Sequence, residues 1–183
     1  MYIEKIKSPA DLKGLDIEAL NIVADETRAA VLNRVSKHGG HVGPNLCFVE
    51  ATVALHYVFN APVDKFVFDV SHQCYPHKVL TGRAAGFLGD VDDMNAISGY
   101  SSPTECPEYD NFEVGHTSTS VSLATGLQKA RDVKGTHENI IAVIGDGSLS
   151  GGEAFEGLDE ASELGTGIII VVNDNEMSIA ENH

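Results

Sequence analysis

The sequence has no tryptophan, few basic residues and only three cysteines. The cysteines, Cys47, Cys74 and Cys106, are odd in number and widely spaced, which argues against a disulfide framework and favours a reducing compartment. Twelve Lys and Arg against 27 Asp and Glu give a net charge of −15 at pH 7, and no local basic cluster offsets it. This charge argues against nucleic acid and anionic membranes as partners. The first residues lack the apolar stretch typical of a signal peptide, and the sequence has no apolar run of about 18 residues. We therefore expect a cytoplasmic protein without a membrane segment.

Two apolar runs near the end of the chain predict a pair of buried parallel strands. Residues 140–144 and 168–172 are unbroken and mostly β-branched, as is typical of strands covered on both faces. Between them, helical spacing predicts a crossover helix that begins near residues 150–152 and buries Phe155, Leu158, Ala161 and Leu164. We therefore predict an α/β fold, an open and mostly parallel sheet with helices on both faces. The length of 183 residues and the 43% hydrophobic content suit one domain over residues 1–183.

The rest of the chain divides into helices, one strand and one irregular stretch. Asp16 is placed to cap a helix that ends at Gly39 and Gly40. The periodicity then predicts a helix over 50–59, a buried strand over 66–70, a turn into a short helix over 72–80 and a helix over 117–133. Residues 82–112 are rich in Gly, Ser, Pro and acidic residues, and we expect them to form a long irregular excursion over the site.

Polar side chains follow both of the predicted C-terminal strands. Asp146 lies between two glycines directly after the first strand, and Asn175 follows the second strand 29 residues later. Because ligands of parallel sheets bind beyond the carboxyl ends of the strands, we expect Asp146 and Asn175 to lie on neighbouring strand ends. A carboxylate and an amide oxygen suit Mg²⁺, and the amino end of the following helix suits a phosphate. The sequence therefore predicts a magnesium and phosphate site.

The spacing of Gly-Asp-Gly and Asn resembles the cofactor motif of thiamine diphosphate enzymes. Further segments resemble the amino-terminal domain of the 1-deoxy-D-xylulose-5-phosphate synthase family, and together they cover nearly the whole chain. These segments are His41, residues 53–60, 69–73, 75–78, 80–83, 115–120 and 173–179. The resemblance implies the thiamine diphosphate-binding fold, in its diphosphate domain, with thiamine diphosphate and Mg²⁺ as cofactors.

Three histidines, His41, His72 and His116, stand next to glycines or after a predicted strand, where functional side chains gather. The resemblance implies that all three are catalytic and that His41 faces the substrate. It implies cofactor contacts from His72, Gly115, His116, Thr117, Asp146, Gly147, Ser148 and Asn175. The implied metal ligands are Asp146, Asn175 and the main-chain carbonyl of Met177.

The implied activity is a transketolase-type transfer that decarboxylates pyruvate and condenses it with glyceraldehyde 3-phosphate. In the family, the activating glutamate and the phosphate-binding arginines lie in later pyrimidine-binding and C-terminal domains. We expect those domains on the same gene product or on a partner chain, a homodimeric assembly, and no activity from this chain alone.

Alternatives remain at this point. Departures from the family pattern at His38, Ser71 and Cys47 allow a synthase-like paralogue, and a split transketolase-like enzyme of other specificity is a second reading. A non-catalytic cofactor-binding or assembly module is a third. The close spacing of His72, Cys74 and His77 is a weak zinc signal, because no partner cluster accompanies it.

Overall fold

A computed structural model describes residues 1–165, 167–174, 177–178 and 180–181. The chain forms two compact units that alternate along the sequence. The helical unit comprises Met1–Ala61 and His72–Gly99, and the sheet unit comprises Pro62–Ser71 and Tyr100–His183. Within the described residues, no helix combines the length and the apolar character needed to cross a bilayer.

The helical unit is built around its longest helix, α1. Asp16 caps α1 as predicted, because its side chain accepts a hydrogen bond from the Ala19 amide at 2.9 Å. The helix ends at Gly39, whose φ of +81° favours glycine. The elements of this unit are a 3₁₀ helix Pro9–Leu12, α1 Ile17–His38, α2 Gly43–Leu46, α3 Val49–Val58, α4 Tyr75–Lys78, a π-helix Val79–Arg83, α5 Ala85–Leu88 and α6 Val91–Asn95.

The sheet unit contains three parallel strands in the order β1-β2-β3, which confirms the predicted α/β class. β2 is central, with Lys65 of β1 paired to Ile140 and Asn173 of β3 paired to Gly145. Met177 and Ser178 pair with Glu181 and Ala180 in a short antiparallel ribbon. The elements are β1 Lys65–Phe68, α7 Ser120–Lys134, β2 Ile140–Gly145, α8 Asp146–Leu149, α9 Gly152–Leu164, β3 Ile169–Asn173, β4 Met177–Ser178 and β5 Ala180–Glu181.

The apolar core of the sheet unit lies on one face of β2, where α7 and α9 pack. Ile140 and Ala142 belong to one apolar cluster with Ala124 of α7, and Ile144 belongs to a second with Val121 of α7 and Ala154 of α9. The residues on the opposite face of β2, Ile141 and Val143, are fully buried as well. The central strand is thus covered on both faces, as its unbroken apolar run predicts.

Residues with left-handed backbone make β1 end earlier and α7 begin later than the sequence predicts. The strand expected over 66–70 stops at Phe68, because Val70 and Ser71 have φ of +56° and +72°. The helix expected from residue 117 begins at Ser120, because Ser118 has φ of +71°. Non-glycine residues in this region are strained by roughly 1 kcal/mol each, so tertiary contacts must hold the three of them there.

Two expectations about burial and one about secondary structure were wrong. Phe155 is 60% exposed, and the buried residues of α9 are Ala154 and Gly157. β3 is only half-buried and Val172 is 46% exposed, because β3 pairs with β2 alone in the described sheet. The stretch 82–112 is also less irregular than expected, since it contains α5 and α6. Asp90 caps α6 through the amides of Asp92 and Asp93, a capping pattern that is readable from the sequence.

Candidate functional site

Asp146 lies at the carboxyl end of the central strand. It follows Gly145, the last residue of β2, and begins the short helix α8 with its side chain half-buried. Gly145 pairs with Asn173, the last residue of β3, so the two strands that carry the predicted metal motif are neighbours and parallel. This confirms the predicted arrangement of the strands. Asn175 lies outside the described residues, and its role as a ligand stays a prediction.

The backbone of Met177 comes close to the same strand end. β4, which contains Met177, packs beside α8, which contains Asp146, Gly147 and Ser148. Carboxylate and main-chain carbonyl oxygens are hard donors, the type that Mg²⁺ prefers. The donor types on this edge of the sheet unit therefore fit a magnesium ion.

The loop before α7 offers an open surface at residues 115–117. Gly115, His116 and Thr117 are all exposed, and the His116 Nδ1 atom lies 2.8 Å from the Thr117 carbonyl oxygen. Gly115 does not have a positive φ, and a Cβ added there would meet nothing within 4 Å. The described fold therefore gives no steric or conformational reason for a glycine at this position.

A buried carboxylate holds this loop in place. Asp69 follows β1 and is fully buried, and its two oxygens accept hydrogen bonds from the Ser118 and Ser120 amides, both at 2.9 Å. The Ser118 hydroxyl in turn donates to the Ser148 carbonyl oxygen at 2.6 Å. The 115–117 loop and α8 are thus linked through Ser118. Sequence reasoning gave Asp69 no role, because its partners lie about fifty residues away in the chain.

In the helical unit, His41 and His72 are brought together. Their rings meet edge to face with 5.7 Å between centroids, and both side chains are half-buried. Burial lowers the pKa of His41 below its ordinary value of 6.5, because a charged imidazole loses hydration there. His41 is therefore mainly neutral at pH 7, a form that can either donate or accept a hydrogen bond.

Asn45, a fully buried residue that sequence reasoning missed, fixes the backbone of both histidines. Its amide nitrogen donates to the carbonyl oxygens of His41 at 2.8 Å and His72 at 2.7 Å. Its side-chain oxygen accepts from the Tyr75 amide at 2.9 Å. No local pattern signals such a residue, because its partners come from two separate segments of the chain.

His77, one of the three residues of the weak zinc signal, lies against His56. Its Nδ1 atom lies 2.9 Å from Nε2 of His56, and both rings are buried. Among the described residues, no group of three or more His, Cys, Asp or Glu side chains could hold a metal ion. The zinc alternative therefore has no structural support in that part of the chain.

The site residues divide between the two units. His41 and His72 lie in the helical unit, whereas Gly115, His116, Thr117, Asp146, Gly147 and Ser148 lie in the sheet unit. Each unit brings its own set together. The catalytic and cofactor-binding roles of these residues stay predictions.

Comparison with known proteins gives one consistent result. The profile of the family described as 1-deoxy-D-xylulose-5-phosphate synthase matches residues 3–183. Among curated relatives of that name, the chain is 49% identical over 180 residues to the protein of Syntrophotalea carbinolica and 50% identical over 182 residues to that of Dictyoglomus turgidum. It is 50% identical over 180 residues to the protein of Caldanaerobacter subterraneus. These alignments cover 98 to 100% of the chain and 28 to 29% of the relatives. The chain therefore belongs to the 1-deoxy-D-xylulose-5-phosphate synthase family, as its amino-terminal domain.

Proposed function

We propose that this chain is the part of a 1-deoxy-D-xylulose-5-phosphate synthase that binds the diphosphate of thiamine diphosphate through Mg²⁺. The aligned relatives are about 3.5 times as long as this chain. The whole protein would decarboxylate pyruvate and condense it with glyceraldehyde 3-phosphate. The observation that carries the proposal is the position of Asp146, at the carboxyl end of β2 with β3 and β4 beside it.

Each residue of the proposed site has a chemical task. Asp146, Asn175 and the Met177 carbonyl would hold Mg²⁺, and the Gly147 and Ser148 backbone would approach the diphosphate. Gly115, His116, Thr117 and His72 would contact the cofactor, and neutral His41 would face the substrate carbonyl. When bound, thiamine diphosphate supplies the chemistry that breaks and forms carbon–carbon bonds. With a net charge of −15 on this chain, a divalent cation would lower the electrostatic cost of binding an anionic cofactor.

The wider assembly follows from the same proposal. We assign residues 1–183 to one thiamine diphosphate-binding domain of a cytoplasmic homodimer. The residues that activate the cofactor and bind the sugar phosphate would come from the remaining domains.

Isothermal titration with thiamine diphosphate, in the presence and absence of Mg²⁺, tests the proposal. Asp146→Ala removes a charged ligand, and we expect it to weaken Mg²⁺-dependent binding by more than about 100-fold. His41→Ala is the control, because His41 would act on the substrate and its loss should spare binding while it lowers turnover of the whole enzyme.

Two results would contradict the proposal. Equal losses of affinity in Asp146→Ala and His41→Ala would show that Asp146 has no special role toward the metal. Absence of thiamine diphosphate binding by the wild-type whole protein would reject the enzyme function and leave a scaffold or assembly module.

A further inference from the structure

We propose that Asp69 is the positioning residue of the cofactor site in the sheet unit. It would act on the cofactor only through the 115–117 loop and α8, so this inference rests on the proposed function. The argument depends on three hydrogen bonds and on the burial of the groups that make them.

The first step concerns the amino end of α7. Its N-cap residue, Thr119, makes no side-chain cap, so the first turn of the helix lacks the usual local acceptor. Asp69, the residue after β1, supplies an acceptor instead: one of its carboxylate oxygens accepts from the Ser118 amide and the other from the Ser120 amide. The negative charge also lies where the helix dipole favours it. One side chain therefore fixes where α7 begins, three residues after the exposed Thr117.

The second step leads from Ser118 to α8. Ser118 has left-handed backbone, and with its amide held by Asp69 its hydroxyl reaches the Ser148 carbonyl oxygen at 2.6 Å. Ser118 is 7% exposed and Ser148 is 9% exposed, so water competes little for this bond. Gly151 also lies close to Ser118, because a Cβ added at Gly151 would clash with the Ser118 hydroxyl oxygen. The turn that carries Asp146 and Gly147 is thus fixed to the same anchor as the 115–117 loop.

A matched carboxylate at the other end of β1 provides the control. Asp64 immediately precedes β1, is 5% exposed, and accepts hydrogen bonds from the Asn139 amide at 2.7 Å and the Asn139 side chain at 3.0 Å. Asp64 and Asp69 therefore have similar burial and both accept two N–H groups. Only Asp69 lies at the carboxyl ends of the strands. Loss of Asp64 should affect stability alone.

The test compares Asp69→Asn with Asp64→Ala in the whole protein. Asp69→Asn keeps one acceptor oxygen, so it should fold, but it turns an N–H group toward one of the two amides. We expect its affinity for thiamine diphosphate with Mg²⁺, per folded molecule, to fall by about 10- to 100-fold, the range for residues that orient metal ligands. Asp64→Ala should change this affinity by less than about twofold even where it unfolds at lower urea. Equal affinities of Asp69→Asn and wild type would overturn the inference.

A second measurement separates this inference from the proposed function. In the cofactor-free protein, amide NMR of Asp69→Asn should show shifts and faster hydrogen exchange at Ser118 and Ser120, together with shifts at residues 146–148. Asp64→Ala should leave these amides unchanged. If residues 146–148 do not respond to Asp69→Asn, the coupling is absent and the inference fails, whatever the wild type binds. If they respond but the wild type binds no thiamine diphosphate, the proposed function alone fails and Asp69 remains the anchor of this loop.

Discussion

Acidification should destabilise this protein through the buried pair of His56 and His77. His56 is fully buried, its Nε2 atom lies 2.9 Å from Nδ1 of His77, and the two rings stack with 5.0 Å between centroids. Burial lowers the pKa of His56 well below 6.5, with smaller contributions from His77, Lys13 and Arg83. A neutral pair can share one hydrogen bond, whereas a proton on His56 would bring a positive charge into the buried interior of the helical unit.

The magnitude follows from proton linkage. Above the unfolded-state pKa of 6.5, His56 is neutral in both states and contributes no pH dependence. Below it, only the unfolded chain takes up the proton, so the free energy of unfolding falls by about 1.4 kcal/mol per pH unit until the folded-state pKa is reached. If His56 stays neutral in the fold, the loss between about pH 7.5 and pH 5 is roughly 2 kcal/mol.

Urea unfolding followed by circular dichroism at these two pH values measures the effect. His56→Gln keeps a polar group near His77 but cannot titrate, so it should lose about 2 kcal/mol less than wild type on acidification. His137→Gln removes an exposed histidine and serves as the control. It should lose as much stability on acidification as the wild type. Identical losses in wild type and His56→Gln would refute the reasoning.

Two further substitutions test the packing around the candidate site. Asn45→Ala removes three hydrogen bonds of a buried side chain and should lower the free energy of unfolding by roughly 3 kcal/mol. The NMR signals of the His41 and His72 rings should also move, and unchanged ring signals would show that Asn45 does not place them. Gly157→Ala would put a Cβ 2.8 Å from the Ser122 backbone nitrogen and should destabilise the protein by about 1 to 3 kcal/mol in thermal unfolding. Gly126→Ala is the control, because nothing lies within 4 Å of the added Cβ, and it should stabilise α7 by about 0.5 to 1 kcal/mol. Equal effects of Gly157→Ala and Gly126→Ala on stability would contradict the packing of α7 on α9.

Local signals in the sequence predicted much of the fold. The cap at Asp16, the apolar run of β2 and the glycine at residue 39 are each readable within a few residues, and each was confirmed. The placement of Asp146 at a strand end beside β3 was also predicted, because the parallel arrangement follows from strand, helix and strand in succession.

What the sequence could not predict depends on distant partners. Asn45 and Asp69 look like ordinary polar residues until the fold brings the carbonyls of His41 and His72, or the amides of Ser118 and Ser120, to their side chains. The exposure of Phe155 has a similar origin. Helical periodicity gives an apolar face, but the packing of α9 on α7 decides which small residues, here Ala154 and Gly157, lie at the contact.

The distance in sequence between paired strands has a consequence for synthesis. Lys65 of β1 pairs with Ile140, 75 residues later. At translation rates of about 5 to 20 residues per second, β1 leaves the ribosome roughly 4 to 15 seconds before the strand it pairs with. During that interval β2, the strand that pairs with Phe66, Val67 and Phe68, is not yet available. The sheet of this unit therefore forms only after most of the chain has been synthesised.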